Sequence, residues 1–209
     1  MGQARKIYHI THVENLAGMM AADALFSDHR LVADGNKPVV IGMDRIKERR
    51  MRKSVPCHPG LTVGDFVPFY FCPRSIMLYV IDKRHSELIY RGGQREIVHL
   101  VSDVDRAVAA ARGRAWAFTD GNASTAYTGF YDDLSRLEEV VDWTAVNATS
   151  WADPAIKDKK QAEFLVHDSF PWSAIIGIGV FDKGMAQRVA EIIGNVESPK
   201  VAVRRAWYY

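Results

Sequence analysis

Cysteine is scarce in this 209-residue chain. Cys57 and Cys72, with fourteen residues between them, make neither a disulfide framework nor a four-ligand zinc pattern, so reduced thiols and no metal are expected. No run of about 18 apolar residues occurs, which excludes a membrane-spanning helix. The opening MGQARKIYHITHV has no apolar stretch of signal-peptide length. A cytoplasmic protein without membrane association is therefore expected. Neither G-x-G-x-x-G nor G-x-x-x-x-G-K-[ST] is present, so a bound dinucleotide would have to use a mode other than the Rossmann or P-loop ones. Excess charge is missing too: 27 basic against 25 acidic residues leave +2, and any attraction to nucleic acid must come from placement.

Hydrophobic residues, by contrast, make up 48% of the chain, enough for one substantial core at this length, and a single domain is expected. KIYHI reads as a strand, and Thr11 with Glu14 reads as a capping box opening a helix whose Leu16, Met19 and Met20 face inward. Val39 to Ile41 suits a short strand. The following basic stretch has helical spacing, with Met43, Ile46 and Met51 facing inward. CHPGLTVGD reads as loop, and VPFYFCPRS and IMLYVI both read as β-rich, with Pro73 between them. Further strands are expected at 96–100 and 115–118, in AEFLVH, AIIGIGVF and VAVRR. Helices are expected at 103–112 behind Ser102, at 132–141, around 156–160 and at 185–193. The fold class is α+β, a mixed sheet with peripheral helices.

Charge placement singles out DRIKERRMRK, residues 44–53, which holds six basic and two acidic residues. On charge alone it suits a solvated helix face with Glu48 paired to Arg52 somewhat better than a surface facing a polyanion. Glu163 interrupts the apolar strand AEFLVH. It can be a strand-edge carboxylate facing solvent or paired with Lys157, Lys159 or Lys160, or a fixed anion facing an oxocarbenium-like transition state, which breaking an N-glycosidic bond creates. His9 and His12 straddle a strand-to-helix junction and lack a third ligand, which argues against metal. Cys57-His58 lies in a Pro/Gly loop and carries no cue for an activated thiolate. Aromatics beside basic residues suit the stacking of unpaired bases; Tyr127, Phe130 and Tyr131 are better contact candidates than Phe69 and Phe71, which suit the core.

Taken in order, the blocks IYHITHVENLAGM, IKERR, VPFYFCPRSIMLY, RGGQREIVHLV, FTDGNAS, KKQAEFLV and the terminal WYY resemble the DarT family, the toxin half of bacterial DarTG toxin–antitoxin systems. The resemblance spans nearly the whole chain. It implies an ADP-ribosyltransferase-like fold and NAD-dependent transfer of ADP-ribose to a base, thymidine in the branch nearest this sequence, in single-stranded DNA. It further implies that Glu163 and Arg50 are catalytic, and that His9, Ile10, Thr11, Gly18, Phe26 and Arg50 hold NAD. Residues 31–52 would wrap the dinucleotide, and 119–163 would form the substrate-recognition loop. Arg49, Arg52, Arg74, Tyr127 and Tyr131 are the DNA-contact candidates. No metal is implied, and a macrodomain antitoxin resembling DarG is the implied partner. Ile76 stands where the family often has proline. Two rival classes remain on the residues alone: a NAD glycohydrolase or protein ADP-ribosyltransferase, and a non-catalytic module binding single-stranded nucleic acid.

Overall fold

The computed structural model describes residues 5–194 and 199–209, and is a mixed sheet carrying helices on its faces. The strands are β1 (Lys6–His12), β2 (Ala24–Phe26), β3 (Phe66–Tyr70), β4 (Ile97–Asp103), β5 (Trp116–Thr119), β6 (Phe130–Tyr131), β7 (Glu163–His167), β8 (Ser169–Pro171), β9 (Gly177–Val180) and β10 (Lys200–Val203). The helices are α1 (Asn15–Ala21), α2 (Asp28–Ala33), α3 (Asp44–Arg52), α4 (Ile76–Asp82), α5 (Val104–Ala111), α6 (Leu137–Val140), α7 (Trp143–Asn147), α8 (Pro154–Lys159) and α9 (Lys183–Ile193). Eight strands form one sheet in the order β10-β9-β4-β1-β3-β7-β5-β6, and β2 pairs with β8 beside it. The pairs are antiparallel except β9 with β10, which α9 joins as a parallel crossover.

The two-residue period of the strands sorts the sheet into two faces. On one, Phe69, Phe118 and Phe164 are fully buried and meet Ala107 and Ala111 of α5 and Val189 of α9 in the main core. On the other, Phe66, Ala117 and Leu165 pack against Val55 and Val63 from the loop after α3. That loop docks closely on the helix before it. A Cβ on Gly64 would stand 2.9 Å from the Met51 Cα, so only glycine lets it approach α3.

One junction in the sheet is thin. β1 shares seven register pairs with β4, and β3 shares five with β7, but β1 and β3 meet only at Tyr8↔Tyr70. The cause is local chemistry: Pro68 has no N–H to give a ladder, and its carbonyl accepts instead from His9 Nδ1 at 2.8 Å.

Several expectations need correction. IMLYVI is helix α4, not strand, because the Ser75 side chain accepts from the Leu78 N–H and caps its start. Thr11 caps nothing: it lies in β1 and accepts from the Asn15 carboxamide, and α1 begins without a side-chain cap. Val39 to Ile41 is not a strand, since the Val39 N–H and carbonyl are both taken by the Asn15 side chain. Asp103, not Ser102, caps α5; the Ser102 hydroxyl donates to the Ala174 carbonyl.

Candidate active site

The sheet geometry brings Glu163 to its place. It is the first residue of β7, opposite Tyr70 at the end of β3, and both side chains lie on the face that α3 and its loop cover. The β-ladder ends here, and side chains complete the backbone pairing. Thr119 Oγ1 accepts from the Glu163 N–H at 2.9 Å and donates to the Gly121 carbonyl at 2.7 Å.

Above the carboxylate stands Arg50, from the last turn of α3. A single nitrogen, Nη1, donates to both Glu163 oxygens, at 3.0 and 2.9 Å. The side chains are 13% and 3% exposed, and the Ala123 N–H adds a third hydrogen bond at 3.1 Å. Burial is the largest single influence and disfavours the guanidinium charge, but Glu163 together with Tyr70 and Asp28 outweighs it and holds Arg50 above its ordinary pKa. Tyr70 is pushed well above the usual phenol range by burial and by the same carboxylate. The other terminal nitrogen, Arg50 Nη2, is buried with no hydrogen-bond partner. Buried guanidinium donors are normally satisfied, so this one fits an incoming acceptor.

The lysine-paired reading of Glu163 is overturned. Lys160 is buried and donates to the Val146 carbonyl at 2.7 Å, and Lys159 pairs with Asp120. Nor does Glu48 pair with Arg52 among the described residues.

FTDGNAS builds the platform that presents the Ala123 N–H. The Asn122 carbonyl accepts from Thr125 and Thr128, its side chain bonds Ser124 and Gln161, and Asp120 Oδ1 accepts from the Gly129 N–H. Thr119, Tyr70 and this amide were not singled out from sequence; the turn residues of FTDGNAS were the available signal.

The other candidates fall into three groups. His9 turns into the thin junction between β1 and β3, 5.7 Å from the Phe69 ring, and touches neither Arg50 nor Glu163. Burial lowers its pKa, so its ring is neutral at neutral pH. Thr11 is buried, Ile10 is partly buried and Gly18 faces open space. Phe26 lies under the Arg30 guanidinium at 4.7 Å, and Asp28 next to this strand pairs with Lys47 of α3 at 3.1 Å. Of the DNA-contact candidates, Arg49 and Arg52 lie on the exposed face of α3 with no ion pair among the described residues, beside a cleft shared with Arg45, Glu48 and Lys53. Tyr127 is 98% exposed. Tyr131 is instead stacked on Phe118 and covered by Arg136. Arg74 lies over the Tyr209 ring at 4.4 Å, in a second cleft lined also by Asn147, Thr149 and Trp151.

A family model described as "ssDNA thymidine ADP-ribosyltransferase, DarT" matches residues 8–209. A DNA ADP-ribosyl transferase of Thermus sp. (strain 2.9) is 41% identical over 207 residues, which is 97% of this chain and 95% of that protein. The solved structure of Thermus sp. 2.9 DarT with ADP-ribosylated ssDNA superimposes with a TM-score of 0.89 at 37% identity, covering 100% of this chain and 98% of that one. The same protein with NAD+ gives 0.85 at 36%, covering 100% and 99%.

Proposed function

The chain belongs to the DarT family of ssDNA thymidine ADP-ribosyltransferases, and from that premise we propose how its own side chains carry the transfer. It is an enzyme that uses NAD as co-substrate and places ADP-ribose on thymidine in single-stranded DNA. The observation carrying the residue assignment is the buried Arg50–Glu163 pair with its unpartnered Nη2.

Glu163, fixed by three hydrogen bonds, holds the nicotinamide ribose and stabilises the cationic anomeric carbon as the bond to nicotinamide breaks. A thymine ring nitrogen then attacks that carbon, forming the new N-glycosidic bond and shedding its proton. Both reactants must sit within near-attack distance, which the sheet end and α3 define. Arg50 is the electrostatic partner of the developing thymine anion, with Nη2 as the donor still to spend. An arginine held above its ordinary pKa is a poor proton acceptor, which disfavours the general-base role. In this reading His9, Ile10, Thr11, Gly18 and Phe26 line the dinucleotide, with neutral His9 pinning the junction where β1 and β3 part. Residues 31–52 cover the dinucleotide, and 119–163 form the substrate-recognition segment. Arg49, Arg52, Arg74 and Tyr127 contact the DNA strand; Tyr131 supports the segment from beneath.

A chain that modifies genomic thymidine would injure its own cell, so a neutralising partner is part of the proposal, a macrodomain antitoxin resembling DarG that removes the ADP-ribose. Such a substrate also places the enzyme in the cytoplasm, in keeping with the lack of any helix long and apolar enough to cross a membrane among the described residues.

The deciding experiment is mass spectrometry of short single-stranded oligonucleotides, with and without thymidine, after incubation with NAD and either the native chain or Glu163→Ala. The expected result is a gain of one ADP-ribose only with thymidine and only from the native chain. Equal modification by Glu163→Ala would remove Glu163 from the mechanism, and nicotinamide release without any adduct would replace transfer by hydrolysis.

A further inference from the structure

The face of the sheet that carries Glu163 holds a second cluster of chemically able side chains. Cys57 and His58 come from the loop after α3, and Asp132 follows directly on β6; each offers one ligand atom, and these atoms lie within 4.8 Å of one another. We propose that Cys57, His58 and Asp132 bind a zinc ion that clamps the loop after α3 to the β6 end of the substrate-recognition segment.

Three features carry the assignment. The donor set is one sulfur, one imidazole nitrogen and one carboxylate oxygen, which suits zinc rather than magnesium or calcium. The spacing is close to that of a tetrahedral site, where bond lengths of about 2.0–2.3 Å put ligands roughly 3.3–3.8 Å apart, so side-chain adjustment alone closes it. His58 is already oriented. Its Nε2 donates to the Trp116 carbonyl at 2.8 Å, which leaves Nδ1 with its lone pair free, as metal-binding histidines are held by a backbone carbonyl on their far nitrogen.

The bland alternative is three polar groups that meet by accident on a loop. Against it, Asp132 makes no ion pair and no side-chain hydrogen bond among the described residues, so its carboxylate beside Cys57 and His58 is left free to take a cation. Hydrophobic neighbours lie beneath: Cys57 packs against the cluster that holds Val55, Phe66 and Phe130, which walls the site on one side. Exposed Asp132 opens the other side to water, the natural fourth ligand. Such an ion would displace the Cys57 thiol proton to solvent, pair with the resulting thiolate and the carboxylate, and join two segments far apart in sequence. It takes no part in the transfer of ADP-ribose.

The test uses the whole chain, stripped by chelator and reloaded with cobalt(II) or zinc. Cobalt should give the ultraviolet thiolate-to-metal charge-transfer band and strong tetrahedral visible absorption, and zinc should remain at one ion per chain after desalting. Cys57→Ser should lose the band, and both Cys57→Ser and Asp132→Asn should bind zinc at least about tenfold more weakly, as judged by chelator competition. The other thiol, Cys72, is buried beneath Lys160 and cannot supply the band in its place. Absence of a thiolate band in the native chain, or equal zinc retention by native and Asp132→Asn proteins, would overturn the site. The native cobalt spectrum decides the question even if Cys57→Ser folds poorly, which circular dichroism reports.

Discussion

At the scale of single residues, Glu163 and Arg50 have different dependencies, and three substitutions separate them. Glu163→Gln keeps one acceptor for Arg50 Nη1 but removes the anion, so transfer should fall by at least about 100-fold, and the buried guanidinium left without its charge partner should also cost about 3–5 kcal/mol of stability. A variant retaining a tenth of native activity in the oligonucleotide assay would show that the charge is not needed. Arg50→Ala leaves Glu163 buried and short of its cation, a change that typically costs about 3–5 kcal/mol. Arg50→Lys restores charge without the planar fork, so it should recover stability in urea unfolding yet remain at least about tenfold slow. Full activity in Arg50→Lys would rule out any role for Nη2. Glu163 was legible in the sequence because a carboxylate in an apolar strand needs a reason, and Arg50 because basic residues cluster around it; choosing Arg50 over Arg49 or Arg52 required the family resemblance. The Cys57–Asp132 meeting was not legible, since it arises from tertiary packing and Asp132 lies among ordinary turn residues.

At the scale of elements, the short apolar run of α4 is ambiguous by periodicity, and its one local cue was Ser75 at the N-cap. Ser75→Ala should cost about 1 kcal/mol in denaturant unfolding, and no change would mean the cap does not set this boundary. Asn15 shows the converse: a side chain that captures both polar groups of Val39 removes a strand that hydropathy alone favours. Gly64 is the point at which the loop after α3 packs back on that helix. Gly64→Ala forces a Cβ against Met51, so it should cost about 1–3 kcal/mol and displace Arg50, lowering transfer more than the stability loss explains. Native turnover in a destabilised Gly64→Ala protein would disconnect the loop from the site.

For the whole molecule, the alternation of apolar residues fixed the α+β class and located most strands, but the order in which distant strands pair lay beyond local pattern, and so did the depth at which a histidine is buried. His99 is fully buried in β4, bonded to the Pro73 carbonyl and the Tyr208 hydroxyl, and burial lowers its pKa to about 4. The unfolded chain takes up a proton near the ordinary 6.5, well before the native one does. Stability is therefore complete above that value and declines as pH falls toward about 4, by about 3 kcal/mol from this group. Urea unfolding at a series of pH values reads this loss, and His99→Gln should flatten the profile between those limits; an unchanged slope would assign the acid sensitivity elsewhere. The thin junction of β1 with β3 has a consequence of another kind. Strand rims that lack a full ladder are where foreign chains attach, and here such a rim lies inside the sheet instead of at its border. Protein kept without its dinucleotide should precipitate sooner than protein kept with it, so shelf life, measured by light scattering, becomes a reporter of occupancy.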